Sequence, residues 1–321
     1  MTDWMAIMDK TDTTSITSFS YDFTTKINRE GQGSAKWNLM HEQAEDPLSE
    51  GIVPFSVADM ELPHPPEVIT ALHTLLDTTI LGYTVPTDSY FQSVIEWQTR
   101  RHNWTPQKEW IVTSPGVVPA FHAAIRAFSK PGDGVIIQQP VYYPFMKAIT
   151  INDRIIVNNA LINNKKERCY QIDFADLEQK ASNPHNKILL LCSPHNPVGR
   201  VWTRNELQRI VDICLRHDVF IISDEIHNDL IMPGYEHTTL LSLVDEVQAK
   251  HTMVCTAPSK TFNLAGFQTS NIFIPDADCR KKFQLEFEKL GLGMLNAFGY
   301  TACEAAYNNC EVWLEEVLRL I

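Results

Sequence analysis

The chain has 321 residues, 44% of them apolar, with 13 Gly, 18 Pro and a formal charge of −12. That length suits one large α/β domain with a smaller one, since domains run to about 100–200 residues. The acidic balance and the lack of any long like-charge run argue against a nucleic-acid or anionic-membrane partner, and no apolar stretch approaches the roughly 20 residues of a membrane span.

The stretch from Met1 to Ser20 mixes charged and hydroxyl residues and has no apolar leader core. Residues up to about 62 are loop-rich, with Gly31, Gly33, Pro47, Gly51 and Pro54, and are expected to wrap the main domain or to belong to a second one. From Pro65 the pattern changes to alternating helix and strand. Pro65-Pro66 opens a helix whose apolar face is Val68, Ile69, Leu72, Leu75 and Leu76. Tyr90 to Arg101 repeats the pattern through Tyr90, Val94 and Trp97.

Apolar runs then read as strands at Trp110–Thr113, Val135–Ile137, Ile188–Cys192, Phe220–Ile222, Met253–Cys255 and Asn271–Ile274. Between two of them, Thr203-Arg-Asn-Glu206 is a capping box, followed by the stripe Leu207, Ile210, Val211 and Cys214. Continuous apolar strands separated by helices argue for an α/β fold with a mostly parallel sheet between helices. At the end, residues 300–321 read as one long helix with Val312, Trp313, Val317 and Leu320 inward, and the chain is expected to stop within it. The seven cysteines are odd in number and form no Cys-x-x-Cys pair, and Cys192, Cys214 and Cys255 lie inside apolar runs. Reduced thiols and a cytoplasmic protein are expected.

Ligands of such sheets bind at the carboxyl ends of the strands, and five of these ends carry small or polar residues. After the first comes Ser114-Pro-Gly-Val-Val-Pro-Ala120, a turn into an Ala-rich helix whose free N–H groups suit an anion such as phosphate. The second leads to Gln138-Gln-Pro-Val-Tyr-Tyr-Pro144, where Tyr142 can lie against a planar ligand. The third leads to Ser193-Pro-His-Asn-Pro-Val-Gly199, where the proline after Asn196 favours extended backbone and leaves an amide to donate. The fourth ends in Ser223-Asp-Glu-Ile-His227; an acid there is costly unless a positive partner faces it.

The last leads to Thr256-Ala-Pro-Ser-Lys-Thr-Phe-Asn-Leu-Ala-Gly266, where the amine of Lys260 is a candidate Schiff-base former. Asp224-Glu-Ile-His227 also resembles a magnesium-holding ATPase box, but no Gly-x-x-x-x-Gly-Lys-Ser/Thr loop accompanies it. No spaced ligand set supports a metal at Asp224, Glu225 and His227 either. The order of anion turn, tyrosine, Asn-Pro, acid and lysine suits pyridoxal phosphate, which needs an amine, an acid for its pyridine nitrogen and donors for its phosphate.

This ordered set resembles the fold type I pyridoxal-phosphate enzymes, the aspartate-aminotransferase superfamily. More closely, it is similar to the MalY/PatB branch of cystathionine β-lyases and cysteine-S-conjugate lyases. The matching segments include Val57-Ala-Asp-Met60, Gly82-Tyr-Thr84, Thr113 to Pro119, Pro140 to Phe145, Cys192 to Arg200, Asp224-Glu-Ile-His227 and Thr256 to Gly266.

The resemblance implies an aspartate-aminotransferase-like fold with Lys260 as covalent anchor of the cofactor and Asp224 at its pyridine nitrogen. It places Asn196 and His227 by the phenolic oxygen and Tyr142 on the ring. Gly116, Val117, Val118 and Ser259 would meet the phosphate, and Tyr83 would serve the phosphate of a neighbouring subunit in a homodimer. Residues 1–62 would form the small-domain segment and dimer arm, 63–298 the cofactor domain, and 299–321 the start of the helix leading to a small domain that is incomplete here. Gln268 stands where aminotransferases often carry a phosphate-binding arginine, and the arginine that clamps the substrate carboxylate is expected beyond Ile321. The implied reaction is α,β-elimination of a cysteine thioether such as cystathionine; transamination and a non-catalytic regulatory role are the alternatives.

Overall fold

The computed structural model describes residues 20–44 and 51–321. The N-terminal stretch before residue 20, read above as lacking an apolar leader core, and Pro47 lie outside the described residues. Among the described residues the first helices are α1 (Ala35–Gln43), α2 (Pro66–Thr78) and α3 (Asp88–His102), and a sheet follows. Its strands are β1 (Ile111–Ser114), β2 (Gly134–Ile137), β3 (Ile155–Asn158), β6 (Asn186–Cys192), β7 (Phe220–Asp224), β8 (Thr252–Thr256) and β9 (Ser270–Phe273), with β4 (Ile162–Asn164) and β5 (Cys169–Gln171) forming a separate hairpin.

The order across the sheet is β1-β9-β8-β7-β6-β2-β3. Only β9 runs against its neighbours, so the expected mostly parallel sheet is present. Every residue of β7 and β8 is buried, as strands covered on both faces must be. Alternation divides them between two cores: Leu189, Leu191 and Ile221 face one side with Leu207, Ile210 and Trp97, while Ile188, Leu190 and Ile222 face the other with Phe121 and Phe283.

The helices follow from local signals. α4 (Val117–Phe128) has a strongly one-sided apolar face through Ala120, Phe121, Ala124 and Ile125. α7 (Arg204–Arg216) carries the expected capping box, with Glu206 N donating to Thr203 Oγ1 at 3.2 Å and Thr203 N donating to Glu206 Oε2 at 2.8 Å. α5 (Pro144–Ile151), α6 (Phe174–Ala181) and α9 (Ala277–Glu288) complete the layers, with α4 packed against both α5 and α9.

Two expectations need correcting. α2 buries Val68 fully, but Ile69 and Leu76 on its expected face are 40% and 52% exposed. The helix therefore turns only part of its stripe toward this chain's core. The expected single C-terminal helix is two helices, α10 (Ala297–Asn309) and α11 (Glu311–Leu320), broken at Cys310. The break resets the helical phase, so Trp313 and Val317 are buried while Val312 and Leu320 are exposed. Within the loop-rich first sixty residues, the described part includes α1, which buries Lys36. Further along the chain Glu316 accepts hydrogen bonds from the backbone N–H groups of Ser20 and Tyr21 and ties the described N-terminal segment to α11.

Candidate active site

Because β6, β7 and β8 are parallel and in register, Cys192, Asp224 and Cys255 lie side by side at their carboxyl ends. Ser114 at the end of β1 reaches the same edge across β9, where Ser270 Oγ donates to Ser114 O at 3.1 Å. Lys260 lies in α8 (Pro258–Thr261), a single turn begun by proline just past β8, rather than in an open turn. Its Nζ donates to Ala58 O at 2.9 Å, so the 57–60 segment closes over the lysine. Burial lowers the pKa of this amine, with Asp59 and Asp224 pulling the other way.

Asp224 is 4% exposed, and its Oδ1 accepts only a 3.2 Å bond from Ile226 N. Among the described residues no cation lies within ion-pair distance of it. Burial accordingly pushes its carboxyl up to about 7; Glu225 adds to the rise and Lys260 opposes it. His227 is pushed down to about 4 by burial with the Lys260 charge adding to it, so its ring is neutral at pH 7. Burial, then the neighbouring Asp224, pushes the Tyr142 hydroxyl upward. Asn196 precedes a cis peptide bond to Pro197, and its backbone N–H donates to Cys192 Sγ at 3.3 Å. Asn196, His227 and Ala58 share a cleft of about 420 Å³.

Gly116 starts α4 at φ 144°, and no side chain caps the helix. The N–H groups of Val117 and Val118 are therefore open, Pro119 has none, and Ala120 N already donates to Gly116 O. Ser259 lies partly buried in α8, while Gln268 is exposed at φ 50° and makes no side-chain contribution to this helix start. Tyr83 is 98% exposed and stands apart, lining a different cleft with Met294 and Phe298. The fold thus gathers Lys260, Asp224, Tyr142, Asn196, His227 and the α4 start along one sheet edge, and leaves Tyr83 facing outward.

The sequence pattern singled out no role for Asn263, Asp229 or the 57–60 backbone. Asn263, at φ 59°, clamps Met60 in both directions: Met60 N donates to its Oδ1 and its Nδ2 donates to Met60 O, each at 2.9 Å. Asp229 is buried beneath α8 and accepts from Thr261 Oγ1 at 2.7 Å. Chemically, the edge offers a depressed amine, a buried acid awaiting a cation, and open donors for an anion.

Residues 50–286 match the family model for aminotransferase class I and II. The chain belongs to this family. It is 43% identical over 302 residues to the cystathionine beta-lyase PatB of Bacillus subtilis, covering 94% of this chain and 76% of that protein. It is 30% identical to the protein MalY of Escherichia coli over 92% of this chain and 74% of MalY. Among solved structures it is similar to cystalysin from Treponema denticola, which contains a pyridoxal 5′-phosphate cofactor, with a TM-score of 0.89, 50% identity, and coverage of 93% of this chain and 75% of cystalysin. Membership of this family accounts for the α/β layering, and the expected aminotransferase-type fold is the one observed.

Proposed function

We propose that this chain is a pyridoxal-phosphate-dependent C–S β-lyase acting on cystathionine or related cysteine thioethers. The observation that carries this reading is Asp224: a carboxyl 4% exposed, with no cation paired to it among the described residues, one register step from the strand that leads to Lys260. A protonated pyridine nitrogen is the partner such an acid lacks, and would draw it back to the ionised form. The similarity to PatB and to the cofactor-containing cystalysin supports the same assignment.

The residues present fit the cofactor. Lys260 would hold it covalently, Val117 and Val118 would offer backbone N–H groups and Ser259 a hydroxyl to its phosphate, and Gly116 admits the phosphate by having no side chain. Asn196 would donate its amide to the phenolic oxygen, beside the neutral ring of His227, and Tyr142 would cover one ring face. Bound there, the cofactor supplies the electron sink for a carbanion at the substrate's Cα. Asp224 would hold a proton on the pyridine nitrogen. Lys260 Nζ would take the Cα proton, a role toward which burial shifts it by lowering its pKa. The bond from Cβ to sulfur breaks, and with one water the products are a thiol, pyruvate and ammonia.

The protein is proposed to work as a cytoplasmic homodimer. Buried, unpaired Cys192, Cys214 and Cys255 fit a reducing compartment, and the outward Leu81, Tyr83 and Met294 fit a surface covered by a second copy. With cystathionine the released thiol is homocysteine, which would place the step in methionine biosynthesis.

Incubation of the cofactor-loaded protein with cystathionine tests the reading. Pyruvate with stoichiometric thiol is expected, and Lys260→Ala should abolish it. A keto acid that retains the sulfur would make the protein an aminotransferase; cofactor binding with neither product would make it a non-catalytic binder.

A further inference from the structure

Two acid–histidine pairs lie next to Lys260 and Asp224, Asp229 with His102 and Glu225 with His237. In the first, Asp229 Oδ1 accepts from His102 Nε2 at 2.9 Å, and the side chains are 2% and 4% exposed. Asp229 Oδ2 accepts from Trp97 Nε1 at 3.2 Å and from Thr261 Oγ1 at 2.7 Å. In the second, Glu225 Oε2 accepts from His237 Nε2 at 2.9 Å, while its Oε1 accepts from Ser223 Oγ and Leu240 N, each at 2.9 Å. The two histidine rings meet edge to face, 5.7 Å apart at 86°.

Each pair adjoins a residue of the cofactor site: Thr261 follows Lys260, and Glu225 follows Asp224. Glu225 is the first residue past β7, and the three groups that hold its carboxylate fix the backbone at the strand end that carries Asp224. The need is greater at Lys260. α8 is four residues long, and one helical turn has almost no stability of its own. Its rotation about its axis is held by its side-chain contacts, the Thr261 hydroxyl on Asp229 and Lys260 Nζ on Ala58 O, with the buried Phe262 ring just past its end. Three donors converge on Asp229; burial alone would raise its pKa, but the bonds from His102 and Thr261, with Arg101 nearby, hold it low and keep it an acceptor.

We propose that Asp229 and His102 are positioning residues for Lys260, acting through the Thr261 hydroxyl, and that Glu225 and His237 give Asp224 the matching support from the other side of the histidine contact. This rests on the pyridoxal-phosphate reading above. A carboxylate that accepts from Thr261 orients Lys260 Nζ toward the cleft, whereas its loss lets α8 turn and changes the environment of the amine.

The test is Thr261→Val, which keeps the side-chain shape and removes the hydroxyl, beside Thr261→Ser, which restores it. The readouts are the equilibrium affinity for pyridoxal phosphate and the pH midpoint at which the bound cofactor's visible absorbance changes. Thr261→Val is expected to weaken binding roughly fivefold, the worth of one hydrogen bond, and to move the absorbance midpoint by about half a pH unit, with Thr261→Ser returning both to the parent. Should Thr261→Val fail to fold, Asp229→Asn carries the same readouts. Parent-like affinity and midpoint in the variants would overturn the proposal, whatever happens to melting temperature. No absorbance band in the parent would overturn the cofactor reading and this inference with it.

Discussion

Replacing Asp224 by Asn should stabilise the cofactor-free protein at neutral and alkaline pH while removing lyase activity. The carboxyl is 4% exposed and is pushed from 3.8 to about 7, chiefly by burial. Between those two values the unfolded chain has lost this proton and the folded chain keeps it. Stability therefore falls as pH rises, by about 1.4 kcal/mol per pH unit, and levels off above the folded pKa. The whole penalty is on the order of 4 kcal/mol, with about 3 kcal/mol of it appearing between pH 5 and pH 8. Asparagine keeps the size of the side chain and has no proton to lose. Urea unfolding of cofactor-free parent and Asp224→Asn at several pH values reads the difference directly. The expected result is a variant that gains on the parent steadily from pH 5 to pH 7 and then holds its advantage. A stability difference that does not change with pH would show that Asp224 ionises without cost, and the case for a missing cationic partner would fail with it.

Three further outcomes follow from particular contacts. Gly116→Ala places a Cβ at φ 144°, 3.4 Å from Pro119 Cδ; the strain is roughly 1–3 kcal/mol, and cofactor titration should show about tenfold weaker binding. Asn263→Gly suits the positive φ but removes both bonds to Met60, so urea unfolding should show a loss of about 2 kcal/mol, and a loss near zero would mean the 57–60 segment is held from elsewhere. Thr203→Ala removes the α7 cap far from the cleft, at about 1 kcal/mol of stability, with pyruvate formation unchanged.

Much of the fold was legible because its strands are buried on both faces. A run such as Ile188 to Cys192 has no polar alternation to confuse it with an edge, and each such run became a strand. β3 was not legible: Ile155 is 58% exposed and its other residues are only half-buried, whereas β1 at the opposite edge is mostly buried. The helix phase failed where an apolar stripe serves something other than this chain's core, as at Ile69 and Leu76, or where a break resets it, as at Cys310. Periodicity records that a face is apolar. It does not record what covers that face.

The candidate site was legible for a related reason. Parallel strands in register bring residues far apart in the chain to one edge, so a reader who finds the strand ends has found Asp224, Asn196, Tyr142 and Lys260 without any distance. The residues that hold these in place obey no such rule. Asn263 clamps a backbone about two hundred residues earlier, and Asp229 reaches Trp97 and His102 on α3. Neither contact leaves a spacing in the sequence, because each depends on how a loop returns across the sheet. The division is physical: the edge of the sheet decides which groups can meet a cofactor, while the layer beneath decides how firmly they point at it. Lys260 depends on that layer most, since its single helical turn cannot fix its own direction, and the bond from Thr261 to Asp229 is where that dependence can be measured.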